Sequence, residues 1–461
     1  MSHHPTSVIF KFLLSSTNNI RISRPLQPPM ANHIRRLSVA WKLTKPAQPA
    51  PVTSAVTPSE NALQHFLEHT KRHYLSDIKE SRENANEWLM VMGNEAGDLD
   101  SIASSIGFAW LSSQSNTTIP YIQISKEDLA LRAENLYALQ LAGIDNPQEQ
   151  LLLPNNLASY TPFPSTRFGL VDHNRLGSPF VSDAARVEAV IDHHEDEHLY
   201  SDTADPRIVT PAGSCSSHVA NLCPFNLPRE IATLLLCAIL IDTNGLKPGG
   251  KAVQADRDAV LHLLPSARLE LPPSFSSANT DGLHDIPSII SLSSVLATKK
   301  ADVSHLSPRD LLRRDYKEYT FTLHWHPDKP TVKAGLSTVP LQLKDWGSKG
   351  KLFRESQAYM QARELHVLGV LTTFKKPKKS GKEKMKHCRE MAWIVLSDTG
   401  LAETLWQGLE EDQEIRVEKH KKFKTGKLPG DGNVRVYKQG NAGATRKATA
   451  PLLKRILESP S

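Results

Sequence analysis

Apolar positions along the chain fall into two recurring patterns. Residues 60–82 space them as one face of an amphipathic helix, and 101–111 and 229–241 do the same. Residues 88–92, 168–171 and 187–191 are instead short continuous apolar runs, the pattern of strands buried on both faces. The segment 229–241 reads equally as a helix running into a last strand. Strands alternating with helices predict an α/β fold with a doubly wound parallel sheet over 60–265. A Pro/Ser-rich stretch at 264–288 marks a boundary, and 266–300 is expected as linker. Beyond it, 301–461 predicts a smaller α/β domain, with a helix over 307–319 and strands over 367–373 and 391–396. The His324-Trp325-His326 stretch has a strand-like alternation.

Charge divides the chain in a way that the total of +6 conceals. Residues 1–59 carry seven Lys/Arg and no acid, 60–300 carry a net −13, and 301–461 a net +12. An acidic half can hold cations and a basic half a polyanion. The acid-free leader, rich in Ser, Thr and Pro, has a transit-peptide composition. The expected location is the cytoplasm, the mitochondrial matrix or both, with Met30 as an alternative start. The strongest apolar run, 231–241, is too short for a membrane span, which takes about 20 residues. The four cysteines form no CxxC pair, which argues against a disulfide scaffold and a thiolate zinc site. A monomer is expected.

Chemistry concentrates in the acidic half, in four motifs that each follow an apolar run. They are Gly-Asn-Glu-Ala-Gly-Asp-Leu-Asp-Ser (93–101), Val-Asp-His-Asn (171–174), Ile-Asp-His-His (191–194) and Leu-Ile-Asp-Thr-Asn (240–244). In an open parallel sheet, ligands sit beyond the carboxyl ends of the strands. Placing all four there gathers Asp98, Asp100, Asp172, Asp192, His193, His194 and Asp242. So many carboxylates would hold one another protonated unless divalent cations shared the site. Oxygen and imidazole donors without thiolate favour Mg²⁺, Mn²⁺ or Co²⁺. Two such ions fit hydrolysis of a phosphoryl ester or anhydride by an activated water. Gly213-Ser214-Cys215-Ser216-Ser217 is a small-residue loop before a helix, either a phosphate cradle or a plain helix cap.

These motifs together resemble the DHH phosphoesterase superfamily, and within it the fungal-type exopolyphosphatases and the related prune proteins. The second region resembles the DHHA2 domain. Asp315-Tyr316-Lys317-Glu318-Tyr319 matches its Asp-x-Lys-x-aromatic motif, and Thr445-Arg446-Lys447 with Pro451-Leu452 its C-terminal motif. The resemblance implies two divalent metal ions per site. Asp98 and Asp172 would hold one; Asp100, Asp172, His193 and Asp242 would hold the other, with Asp172 bridging. His194 would meet the phosphate as a proton donor, within the Asp192-His193-His194 motif. Lys317, Arg446 and Lys447 would reach the terminal phosphates. Asn94 stands where the related pyrophosphatases carry a metal-binding His, which implies weaker binding at the first metal and a shift towards Mg²⁺.

The chemistry admits two substrates, inorganic polyphosphate and pyrophosphate. A long polyanion needs a basic track, and 375–389 holds eight Lys/Arg against one Glu while 419–427 holds five Lys. That favours polyphosphate and release of terminal orthophosphate. A non-catalytic polyanion-binding protein is the alternative of another class. Nucleic acid is disfavoured, because the basic segments offer only Phe423 as a stacking platform.

Overall fold

The computed structural model describes residues 61–273, 275, 282–377, 385–396, 399–421, 423 and 433–459. The leader and its targeting expectation lie outside the described residues, as do the middle of the first basic segment (378–384) and most of the second (422 and 424–427).

The first lobe is built on a five-stranded parallel sheet. Its strands are β1 (Leu89–Met92), β2 (Thr118–Tyr121), β3 (Arg167–Val171), β4 (Arg186–Asp192) and β5 (Arg207–Val209), in the spatial order β2-β1-β3-β4-β5. Every residue of β1 and β2 is buried, as the continuous apolar runs require. Helix α1 (Ala62–Glu80) closes one face, where Tyr74 and Ile78 pack with Met90, Met92, Phe168 and Leu170. The other face carries α2 (Leu99–Ser112), α4 (Cys215–Leu222), α5 (Arg229–Asp242) and α6 (Gln254–Ala267) around Val91, Ile106, Val171 and Ile191. Helices on both faces make the sheet doubly wound. Between β2 and β3 lies α3 (Ala133–Leu141).

Three sequence expectations are corrected. The 266–300 stretch is not simply a linker. It contains a 15-residue helix, α7 (Pro287–Ala301), whose Ile289 and Leu296 enter the first core because a seven-residue spacing puts both on one helical face. The helix expected over 307–319 stops early. It is α8 (Pro308–Arg314), and Tyr316 already begins β6 (Tyr316–Thr322), where aromatic and β-branched side chains favour the pleat. Residues 324–326 are a turn rather than a strand, since Pro327 and Pro330 break pairing there. Trp325 is fixed by donating its ring N–H to the Leu457 carbonyl at 2.8 Å.

The second lobe is a mixed sheet. β6 pairs antiparallel with β7 (Thr331–Val339), which runs parallel to β8 (Val367–Thr372). β8, β10 (Met385–Val395), β12 (Asn433–Gln439) and β11 (Val417–Lys419) follow in antiparallel order. The short strand β9 (Phe374–Pro377) pairs only with the first part of β10. α9 (Lys351–Arg363) covers one face; α10 (Thr399–Glu411) and α11 (Arg446–Glu458) cover the other, with Trp393, Tyr437 and Leu453 in their core.

The lobes meet at a buried ion pair. Arg314, at the end of α8, donates to both carboxylate oxygens of Glu134 on α3, at 2.9 and 3.0 Å. It also donates to the carbonyls of Leu131 and Lys300. Arg314 is 7% exposed and Glu134 1%.

Candidate metal centre and phosphate cleft

The strand order reverses between β1 and β3, one connection going to each side. The crevice at such a switch point is where α/β sheets bind ligands. The loops leaving β1, β3 and β4 carry the first three acidic motifs to this crevice. The fourth arrives differently: Asp242 is the last residue of helix α5, not the end of a strand.

Gly93 lets the chain turn tightly after β1, for a Cβ there would lie 2.7 Å from Ser101 Cβ. Asp98 caps α2 by accepting the Ser101 N–H at 3.1 Å. Burial would raise its pKa, but the Arg132 guanidinium and that N–H hold it below the usual carboxylate value. Asp100, in the first turn of α2, is held by the start of α4. Its Oδ1 receives the Ser214 hydroxyl at 2.6 Å and the Ser216 N–H at 2.8 Å, and its Oδ2 the Cys215 N–H at 2.7 Å. Three N–H groups of the small-residue loop are thus spent inside the protein: those of Cys215 and Ser216 go to Asp100, and that of Gly213 to Asp256. Through these bonds the loop caps α4 on buried carboxylates.

Asp172 is the hub. It adopts a left-handed backbone with φ +60°, which turns its carboxylate back over the end of β3. Oδ2 accepts from the Ser101 hydroxyl at 2.5 Å and from the Asn94 amide at 2.7 Å. Oδ1 lies 3.2 Å from His193 Nε2. Burial pushes its pKa up to about 7; the His193 bond works against this, and Asp100 and Asp98 work with it. Asp242 is likewise pushed up to about 7 by burial, with Lys300 opposing and Asp100 and Asp98 adding.

His193 is aimed by its far nitrogen. Nδ1 lies 3.0 Å from the Ala212 carbonyl, which can only accept, so Nδ1 carries the proton and Nε2 faces Asp172. Burial disfavours the charged ring, but the bond to Asp172 and the charge of Asp100 raise its pKa to about 9. Asp192 is fully buried and its oxygens are engaged by the His193 and His194 N–H groups, His194 Nδ1 at 2.8 Å and the Asn174 amide at 2.6 Å. Burial alone would raise its pKa; these donors bring it down to about 2. Asp192 therefore orients His194 and leaves His194 Nε2 without a partner in the motif.

The donor set fits a divalent cation. One carboxylate or imidazole atom from each of Asp172, Asp192, His193 and His194 lies within 4.8 Å of the others. A ligating His whose second nitrogen bonds a backbone carbonyl is the usual arrangement at metals. Two carboxyls are raised to about 7, by burial first and then by the neighbouring Asp100 and Asp98 charges, a cost that a bound cation would relieve. Asp98, Asp100 and Asp242 lie outside the tight group but within electrostatic reach of it. Asn94 is placed differently from its expected role. Its Oδ1 accepts the Ala96 N–H at 2.9 Å, which leaves the amide nitrogen, not the oxygen, facing Asp172. Cys215 is wholly buried, its thiol pKa raised by burial and then by the surrounding carboxylates, so it is no nucleophile.

From the second lobe, Arg446 opens α11 and is held by the Asp315 carboxylate at 2.8 Å and its carbonyl at 3.2 Å. Lys317 on β6 lies 3.9 Å from Glu95 of the first motif loop. Lys447 has its pKa lowered by burial and by Lys251, against the pull of Asp172, Asp192 and Asp242, so its ammonium is within electrostatic reach of the acidic cluster. All three expected phosphate contacts thus border the crevice. Sequence reading missed Arg132, Lys251 and Lys300, whose charges also face these carboxylates. They belong to no motif, and only the fold brings them in. It also missed Ser101 and Asn174, although both lie inside the acidic motifs.

Residues 88–239 match the DHH family, N-terminal domain, and 294–456 match the DHHA2 domain. A "Putative exopolyphosphatase" of Schizosaccharomyces pombe is 28% identical over 396 residues, covering 80% of this chain and 91% of that one. Exopolyphosphatase PRUNE1 of Mus musculus is 26% identical over 399 residues, covering 84% and 79%. A "Probable manganese-dependent inorganic pyrophosphatase" of Streptococcus equi subsp. zooepidemicus is 32% identical, but over 169 residues, covering 34% of this chain and 49% of that one. With the acidic motifs gathered at the switch point and a DHHA2 lobe facing them, the chain belongs to the DHH phosphoesterase superfamily, in the branch that joins a DHH domain to a DHHA2 domain.

Proposed function

We propose that this protein is a metal-dependent exopolyphosphatase that releases terminal orthophosphate from inorganic polyphosphate. The observation that carries it is the meeting of Asp172 and His193 from one lobe with Lys317, Arg446 and Lys447 from the other. Anion-binding cations there face an acidic centre, as a phosphoanhydride held against divalent metal requires. The relatives named as exopolyphosphatases match along most of the chain, whereas the pyrophosphatase relative matches about a third of it.

Asp98, Asp100, Asp172, His193 and Asp242 would hold two divalent ions, Mg²⁺ or Mn²⁺, with Asp172 shared. Such ions, when bound, supply an activated water and neutralise charge on the phosphoryl oxygens. The chain's own groups do the rest. Asn94 and Ser101 fix Asp172 through its Oδ2 and leave Oδ1 to the centre. Ala212 fixes the His193 ring. Asp192 holds the His194 ring through Nδ1, so that its Nε2 is the atom left to serve the phosphate that departs. Arg446 and Lys317 bind terminal phosphate oxygens, the Arg fork taking two at once. Lys447, within electrostatic reach of the acidic cluster, offsets charge there.

The pyrophosphatase reading is the second one, favoured by the motif-level similarity to the Streptococcus protein. A test is phosphate release with Mg²⁺ from long-chain polyphosphate, tripolyphosphate and pyrophosphate at equal concentration of chain ends. Release from the first two with little from pyrophosphate is the expected result. Fast release from pyrophosphate alone overturns it, and no release from any substrate would favour the non-catalytic polyanion-binding reading.

A further inference from the structure

β9 and the first part of β10 form a two-stranded ribbon projecting from the second sheet. Its register places Lys376 directly opposite Lys386 and Lys375 directly opposite His387. Directly opposed cationic side chains repel, and a ribbon this short has little else to hold it. Lys376 lies over the Phe374 ring, 4.9 Å from its centroid, and His387 Nε2 lies 2.6 Å from the Thr373 hydroxyl, but no neighbouring acid among the described residues offsets the charge. Among the described residues, no carboxylate forms an ion pair with Lys375, Lys376, Lys386 or Arg389. Glu390 lies next in sequence, on the side opposite Arg389, and is engaged by the Leu343 N–H, Gln342 and His420.

The two faces of the ribbon differ. Side chains alternate along a strand, so Lys375, His387 and Arg389 share one face while Lys376 and Lys386 share the other. Arg389 ties the first face to the cleft: its Nε donates to the Ala442 carbonyl at 2.8 Å, in the loop that leads directly into Thr445-Arg446-Lys447. His387 has its pKa lowered by burial and then by Arg389 and Lys375, so the three lie within electrostatic reach of one another. Arg389, bonded to the loop before Thr445, therefore links the cleft side of the second lobe to a ribbon face that carries the cation Lys375 and the imidazole of His387.

We propose that this face of the ribbon, Lys375, His387 and Arg389, binds the tail of a polyphosphate chain whose terminal phosphate lies in the cleft. The proposal rests on the polyphosphate reading above and gives it a length-selecting element. Tripolyphosphate ends within the cleft and gains nothing from the ribbon; a long chain crosses it.

The test compares two double variants of the full chain. Lys375→Gln/His387→Gln alters the proposed face, and Lys376→Gln/Lys386→Gln alters the other. Expected is a rise of roughly 5- to 20-fold in KM for long-chain polyphosphate in the first variant, with kcat/KM for tripolyphosphate unchanged. The second variant, despite removing more charge, changes KM for the long chain less. Direct binding of fluorescent long-chain polyphosphate across a salt series provides a readout independent of turnover. The slope of log Kd against log salt becomes shallower by about 0.7–0.9 for each phosphate that the variant no longer neutralises. Equal loss on both substrates, no change in KM, or a larger effect from the other face overturns the proposal. So does displacement of the labelled chain by single-stranded DNA at equal phosphate concentration. If wild type turns over pyrophosphate alone, the polyphosphatase reading fails. The binding series then still judges the ribbon, and long-chain binding unaltered in the first variant rejects it.

Discussion

The Asn94 side chain donates to Asp172 Oδ2 at 2.7 Å, joining the loop after β1 to the end of β3 across the switch point. Its amide nitrogen supports the carboxylate that the proposed site shares between two ions. Removing it leaves Oδ2 held by the Ser101 hydroxyl alone. We predict that Asn94→Ala raises the metal concentration for half-maximal activity by about 10- to 100-fold, the usual cost of losing a group that orients a ligand. Activity at saturating metal should largely recover. A metal titration of phosphate release decides this; an unchanged half-maximal concentration would show the hydrogen bond to be idle.

Asp172 itself has two separable roles. It is the carboxylate shared by both ions in the proposed site, and it is a source of repulsion when they are absent. Asp172→Asn should lower kcat by more than about 10³-fold, as loss of a group central to the reacting site does. In chelator-treated protein the sign reverses. A carboxyl whose folded pKa is raised to about 7 destabilises the fold above that pH relative to its unfolded value. At pH 8 the metal-free variant should therefore melt no lower than metal-free wild type. A clear fall in Tm would contradict the raised pKa.

Metal affinity should depend on pH in a defined direction. Asp172 and Asp242 keep protons up to about pH 7 and His193 up to about pH 9, and each must lose its proton to bind a cation. Mn²⁺ affinity should rise from pH 6 through pH 9, with proton release detectable as a buffer-dependent heat in calorimetry. Flat affinity across that range would mean that these groups are not the ligands.

The junction between the lobes is a buried, paired charge. Glu134→Gln leaves the Arg314 guanidinium desolvated without its partner, at a cost of about 3–5 kcal/mol. The double variant Arg314→Met/Glu134→Leu should recover most of that loss, which a urea-denaturation cycle measures. If the single change costs no more than the double one, the pair is not coupled.

Much of the site could be read from the sequence because each motif ended an apolar run, and buried parallel strands present their C-terminal loops on one side. Asp98, Asp172 and His193 fell into place by that rule alone. Asp242 did not, because its apolar run is a helix, and a continuous apolar run reads alike in either state. The helix over 287–301 was hidden by the Pro and Ser residues around it, although Ile289 and Leu296 carry the helical spacing. Arg132 and Lys300 were invisible for another reason. A single charge has no periodicity, and the partners that bring these two to the site, Asp315 and Asp242, lie far along the chain. Asn94 was recognised by position, but only hydrogen-bond geometry shows which end of its amide faces Asp172.

Helix α11 brings Arg446 and Lys447 into the cleft and buries Leu452, Leu453, Ile456 and Leu457 in the second core. Domains commonly fold from the N-terminus during synthesis. The first lobe can thus take shape before α11 docks. Until it does, the acidic groups stand without Arg446 and Lys447, and the proposed site could hold a cation but grip a phosphate only poorly.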